Sequence, residues 1–133
     1  MRKVFVNGTF DVLHLGHLAL LSFAKRQGQW LTVAIDSDRR VRELKGPGRP
    51  VNNQHERVEM LRAIRWVDEV KIFDSDQDLI DMIATADVMV KGSDYQGKPI
   101  VGQGLCEIIF FERINEFSST KKIQDIVDRR PRH

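Results

Sequence analysis

The chain of 133 residues holds a single cysteine, so it can close no internal disulfide and offers no cysteine-based zinc set. Cys106 lies in Cys106-Glu107-Ile108-Ile109-Phe110-Phe111, an apolar run that reads as a buried strand and gives the thiol a packing role. Charge of one sign is also missing. The 21 basic residues stand against 19 acidic ones, a net of +2, which is no field for a nucleic-acid partner. No apolar run approaches the ~20 residues a membrane helix needs. Before its first turn the N-terminus, Met1-Arg2-Lys3-Val4-Phe5-Val6-Asn7, is too short for a signal peptide. The expectation is a soluble cytoplasmic protein without nucleic-acid or membrane partners. Repeats and low-complexity segments are lacking too, and the length suits one domain.

What is present is an alternation of short apolar runs with helical periods. Val4–Val6 begins a strand that ends at the turn Asn7-Gly8, and Leu15 to Arg26 carries apolar residues at helical spacing. Gly28 stands where a helix C-cap glycine is expected. Leu31–Ile35 reads as a second strand covered on both faces, and the polar stretch from Asp36 to Asn53 as a long functional loop. Gln54–Arg65 follows as a helix with Val58, Leu61, Ala63 and Ile64 inward. Trp66–Phe73, Val88–Val90 and Glu107–Phe111 supply three more strands, Gln77–Ala84 another helix, and Ser118–Asp128 a closing helix. This order predicts an α/β fold: a Rossmann-like, doubly wound, five-stranded parallel sheet in three α/β/α layers. The domain is placed at residues 1–128, and Arg129 to His133 form a basic tail. Ligands of such sheets bind beyond the carboxyl ends of the strands, which directs attention to the loops after strands one, two, four and five.

After strand one comes Asn7-Gly8-Thr9-Phe10-Asp11-Val12-Leu13-His14-Leu15-Gly16-His17. Gly8 permits a tight turn and a close ligand approach. His14 and His17, three apart at a helix start, can point to one side, and Gly16 leaves that start bare. A helix N-terminus suits phosphate, and two imidazoles there can stabilise oxygens that gain charge during phosphoryl transfer. Taken alone, such a pair is more often a cap and a packed side chain; its place after a strand and a glycine turn favours function. A metal site is weak without accompanying carboxylates or cysteines.

This stretch resembles the His-x-Gly-His signature of the cytidylyltransferase-like nucleotidyltransferase superfamily, and the resemblance runs from Lys3 to about Asp128. It implies that His14 and His17 stabilise the α-phosphate of a nucleoside triphosphate as pyrophosphate leaves. It further implies that the nucleotide meets Asn7, Gly8, Thr9, Phe10, Asp11 and Gly16, and that Mg²⁺ is carried in with it. The stretch lacks the proline and threonine before the glycine that mark the pantetheine-phosphate branch.

Leu44-Lys45-Gly46-Pro47-Gly48-Arg49-Pro50-Val51 is similar to a segment of bacterial heptose-1-phosphate adenylyltransferases, which puts Lys45 and Arg49 over the triphosphate. Arg57 matches a family arginine that would grip pyrophosphate or acceptor phosphate as a fork. Val90-Lys91-Gly92-Ser93-Asp94-Tyr95 looks like the same branch, with Lys91 and Gly92 on phosphate and Asp94 on a sugar hydroxyl or the acceptor. Arg113 and Ser118-Ser119-Thr120 resemble the superfamily's Arg-Thr-x-Gly-Ile-Ser-Thr-Thr segment, which contacts the nucleotide, and depart from it at Ile114, Glu116 and Ser119. Arg113 and its spacing from Asp94 are closer to glycerol-3-phosphate cytidylyltransferase. The favoured expectation is therefore adenylyl transfer from ATP to a sugar 1-phosphate such as heptose 1-phosphate. CTP with glycerol 3-phosphate is the alternative, and a non-catalytic nucleotide-binding module a remote one. The resemblance also implies a homodimer.

Overall fold

The computed structural model describes residues 1–112; residues 113–133, with the expected closing helix and basic tail, lie outside the described part. Five strands form one parallel sheet, β1 (Lys3–Gly8), β2 (Trp30–Asp36), β3 (Glu69–Phe73), β4 (Val88–Gly92) and β5 (Glu107–Phe111), in the order β3-β2-β1-β4-β5. The order reverses between β1 and β4. That is the switch point at which the carboxyl ends of a doubly wound sheet open a crevice.

Both faces are covered, as the apolar strands require. Within β1, Val4 and Val6 face one core with Leu21 and Ala24 of α1 (Leu15–Lys25), whereas Phe5 faces the other with Leu79 and Ile83. Leu61, from a helix at Gln54–Arg62, joins the first core, and Leu79 and Ile83 belong to a helix at Asp76–Ile83. Period-two alternation in the strands thus assigns each side chain to a layer. The expected architecture and strand count are observed.

The stretch from Asp36 to Asn53 is not one long loop. Ser37 caps a helix, α2 (Asp38–Lys45), by accepting from the Arg40 amide at 3.2 Å, and Gly46 ends it at φ 93°. Asp38 at its start and Arg42 and Lys45 at its end suit the helix dipole. Only Val41 is buried, so α2 leaves almost no apolar period in the sequence. The helix at Gln54–Arg62, α3, is capped by Asn53 and stops before Ala63, which is exposed rather than inward. The segment from Trp66 to Asp68 precedes β3 rather than belonging to it, and the Asp76–Ile83 helix, α4, begins behind its cap Ser75. Gly28 is no left-handed C-cap. A Cβ there would lie 2.6 Å from the Arg2 carbonyl oxygen, so close backbone approach is what selects glycine.

Candidate active site

A cavity of about 460 Å³ opens at the carboxyl ends of β1, β2 and β4. Its floor is the turn after β1. Phe10 takes φ 50°, a left-handed conformation rare for an aromatic residue, and is 5% exposed with its ring 5.0 Å from that of His17. A Cβ on Gly8 would approach Phe10 Cε2 to 3.0 Å, so glycine and aromatic ring fit together.

The two histidines themselves build the start of α1. His14 is the N-cap, its Nδ1 accepting from the Gly16 amide at 3.1 Å. In return the His14 amide donates to Nδ1 of His17 at 3.3 Å. This is a capping box in which imidazoles stand where serine and glutamate usually do. The rings stack with centroids 3.8 Å apart and planes 22° from parallel. Because both Nδ1 atoms accept, each neutral ring carries its proton on Nε2. Both rings line the cavity at one helix N-terminus, with His14 Nε2 itself buried, and a pair of Nε2–H donors in that setting suits developing negative charge.

Further residues named from the sequence line the same cavity: Asn7, Gly8, Thr9, Asp11, Gly16, Lys45, Lys91 and Gly92. Lys45 is the last residue of α2 rather than part of a flexible loop. The Lys91 ammonium lies 4.8 Å from the centroid of the Tyr95 ring. Asp11 is 2% exposed, and its carboxylate is occupied by the chain: it accepts from the Val51 and Asn52 amides, each at 2.8 Å, and from Arg49 Nε at 3.3 Å. It organises the segment after α2.

Three expected site residues do not line the cavity. Arg49 is turned to Asp11. Asp94 sits in a short 3₁₀ turn, Ser93–Tyr95, outside the lining. Arg57 is 1% exposed and lies beneath the site. Its Nε donates to the Asn52 carbonyl, Nη1 to the carbonyls of Thr9 and Asp36, and Nη2 to the Asp38 carboxylate. The expected phosphate fork is instead a strut between β1, β2 and α2. Arg113, Ser118, Ser119 and Thr120 lie outside the described residues.

The structure adds Asp36, Arg40, Phe73 and Leu79 to the lining, together with Tyr95 and residues 99–101. Burial opposes the charge of Arg40, but the carboxylates of Asp76 and Asp36 hold its pKa above the ordinary value. Arg39 next to it pairs with Asp74, whose carboxyl is held below the usual range by that guanidinium and by the Ser37 hydroxyl. Asp74 lies between β3 and α4 and Asp76 opens α4, so the two arginines bind α2 to that corner. Among the described residues no group of three histidine, cysteine or carboxylate side chains converges as metal ligands. Nor is any described helix long and apolar enough to cross a membrane.

A stacked histidine pair at the helix start after the first strand of a parallel α/β sheet, beside lysines at two other strand and helix ends, is the arrangement expected of a nucleotidyltransferase. Comparison with known proteins agrees. The chain belongs to the cytidylyltransferase-like family, whose model matches residues 5–131. It is 44% identical over 128 residues, 95% of its length, to the bifunctional protein HldE of Campylobacter fetus subsp. fetus, of which it covers 27%. Over 132 residues it is 40% identical to the bifunctional protein HldE of Alcanivorax borkumensis, with 94% of this chain and 28% of that protein covered. The chain thus spans little more than a quarter of the length of these relatives. A lipopolysaccharide core biosynthesis protein from Thermoplasma volcanium shares the fold at TM-score 0.67 and 21% identity, covering 86% of this chain and 98% of its own.

Proposed function

We propose that this domain transfers AMP from ATP to a sugar 1-phosphate such as heptose 1-phosphate and releases pyrophosphate. The observation that carries the reading is the stacked pair His14 and His17, with both Nδ1 atoms bound to the backbone and both rings on the cavity. A phosphate oxygen of the acceptor attacks the α-phosphorus in line; that P–O bond forms as the bond to the β-phosphate oxygen breaks, and the electron pair leaves with pyrophosphate. No covalent enzyme intermediate is needed, since such transfers depend on positioning and charge stabilisation. The Nε2–H groups hold the α-phosphate oxygens, while Lys45 and Lys91, also on the cavity, hold the outer phosphates or the acceptor phosphate. Mg²⁺ enters as part of the nucleotide substrate.

The choice of ATP and a sugar 1-phosphate rests on the Lys45 and Lys91 segments, which resemble heptose-1-phosphate adenylyltransferases, and relatives named as bifunctional at 40–44% identity are compatible with it. The homodimer implied by the resemblance belongs to the same proposal; exposed Met60 and Ile72 are compatible with a covered face. The test is pyrophosphate release with Mg²⁺, crossing ATP and CTP against heptose 1-phosphate and glycerol 3-phosphate. Release with ATP and the sugar phosphate alone is the expected result. Release only with CTP and glycerol 3-phosphate would replace this reading with the cytidylyltransferase one.

A further inference from the structure

Arg40 is held on two sides at the cavity wall. Its Nε donates to Asp36 Oδ2 at 3.1 Å and its Nη2 to Asp76 Oδ1 at 2.6 Å, with the guanidinium carbon 5.4 Å from the centroid of the Phe73 ring. No described residue accepts from Nη1. Asp36 is 8% exposed, and its Oδ1 is approached by the Thr9 hydroxyl at 3.5 Å, the outer limit of a hydrogen bond, so it retains acceptor capacity. Thr9, Asp36 and Arg40 therefore set hydroxyl, carboxylate and guanidinium side by side, all three on the cavity, with the apolar Phe73 behind them.

The charge of this group decides what it can bind. On the cavity the Asp36 carboxylate neutralises the Arg40 guanidinium, so the pair presents no net positive charge to a phosphate. Alternating donors and acceptors on an apolar backing suit the neutral hydroxyls of a polyol. The cationic and donor groups that suit phosphate lie at the start of α1, at Lys91 on β4 and at Lys45, the last residue of α2. Beyond β4, Tyr95, Ile100 and Val101 give an aromatic and apolar surface that suits a nucleobase.

We infer that Asp36 and Arg40 read the hydroxyl groups of the acceptor's carbohydrate portion, which makes Arg40 a specificity-determining residue. The inference rests on the proposed transfer and names the part of the cavity that selects its acceptor. A site built to hydrogen-bond hydroxyls rejects a substrate that lacks them.

The test compares kcat/KM for heptose 1-phosphate and glycerol 3-phosphate in wild type, Arg40→Met and Asp76→Asn. Wild type should prefer the sugar phosphate. Arg40→Met should lower that preference about 10- to 100-fold, the loss expected for charge-assisted hydrogen bonds, and leave KM for ATP within about twofold. Asp76 is exposed and does not line the cavity, so Asp76→Asn should keep the preference. An unchanged preference in Arg40→Met overturns the inference, as does a rise in the ATP KM in its place. An equal loss in Asp76→Asn also overturns it, because Arg40 would then act only by holding α2. Calorimetric titration of heptose 1-phosphate into wild type and Arg40→Met gives a second readout. If no pair of substrates releases pyrophosphate, the transfer reading fails, yet a Kd raised by Arg40→Met still supports hydroxyl recognition and an unchanged Kd overturns it.

Discussion

Nη1 of Arg57 donates to the backbone carbonyl of Asp36 at 2.8 Å, and the same nitrogen reaches the Thr9 carbonyl at 3.1 Å, so one buried guanidinium ties the end of β2 to the turn after β1. Removing it would strand carbonyls and the Asp38 carboxylate without their donor. Arg57→Met should cost about 3–5 kcal/mol, and Arg57→Lys nearly as much, because an ammonium cannot reproduce the fork. Denaturant unfolding checks this. Variants of wild-type stability that fail only in transfer would show that Arg57 is a phosphate ligand after all.

His17→Ala should lower kcat by about 10²–10³, the loss typical of one well-placed transition-state donor. Stability should fall by only about 1 kcal/mol, the worth of a helix cap. Steady-state kinetics on the purified variant, with its melting curve, separate the two effects. Near-wild-type turnover would remove His17 from the mechanism.

A partly buried pair at the far end of the sheet should set the acid response. Burial pushes the Asp68 carboxyl up, but the Lys25 ammonium and the Leu31 amide outweigh it and leave its pKa below the ordinary value. A depressed folded-state pKa stabilises above the unfolded value and is lost as pH falls through the folded one. Asp68→Asn should therefore cost roughly 1 kcal/mol at pH 7, and the gap to wild type should close below about pH 4. Urea titrations at both pH values test this; a gap that stays constant with pH would refute the assignment.

Gly28→Ala should destabilise by about 1–3 kcal/mol, since the new methyl meets the Arg2 carbonyl oxygen at 2.6 Å and Val4 Cγ2 at 2.8 Å and the strand start must shift. Had Gly28 been a left-handed cap, the cost would come from backbone strain and leave β1 undisturbed. Amide exchange at Lys3 and Val4 distinguishes the two.

Legibility followed chain contiguity. The β1 turn, the histidine pair and the alternation of strands with helices are written in short segments whose apolar period or glycine placement is local, and the parallel sheet follows from that alternation. Helix α2 escaped because a helix on a cavity rim with one buried residue has no apolar stripe to detect. Arg57 was misjudged because an arginine early in a helix looks exposed in sequence, while its four oxygen partners come from residues 9 to 52. Arg40 was missed for the same reason. The one local signal was its i,i+4 spacing from Asp36, an acidic residue ending a strand.

In the proposed transfer, the capping box at α1 makes the reactive centre a helix terminus in the literal sense. Gly16 and His14 can keep their amide protons bonded only while the two rings hold the positions that transfer requires. Helix initiation and assembly of the reactive centre are then a single local equilibrium, so fraying of one turn would silence the enzyme while the sheet stayed intact. The amide of Gly16 is its gauge: its hydrogen-exchange rate reports the fraction of molecules that are competent, with no substrate in the tube.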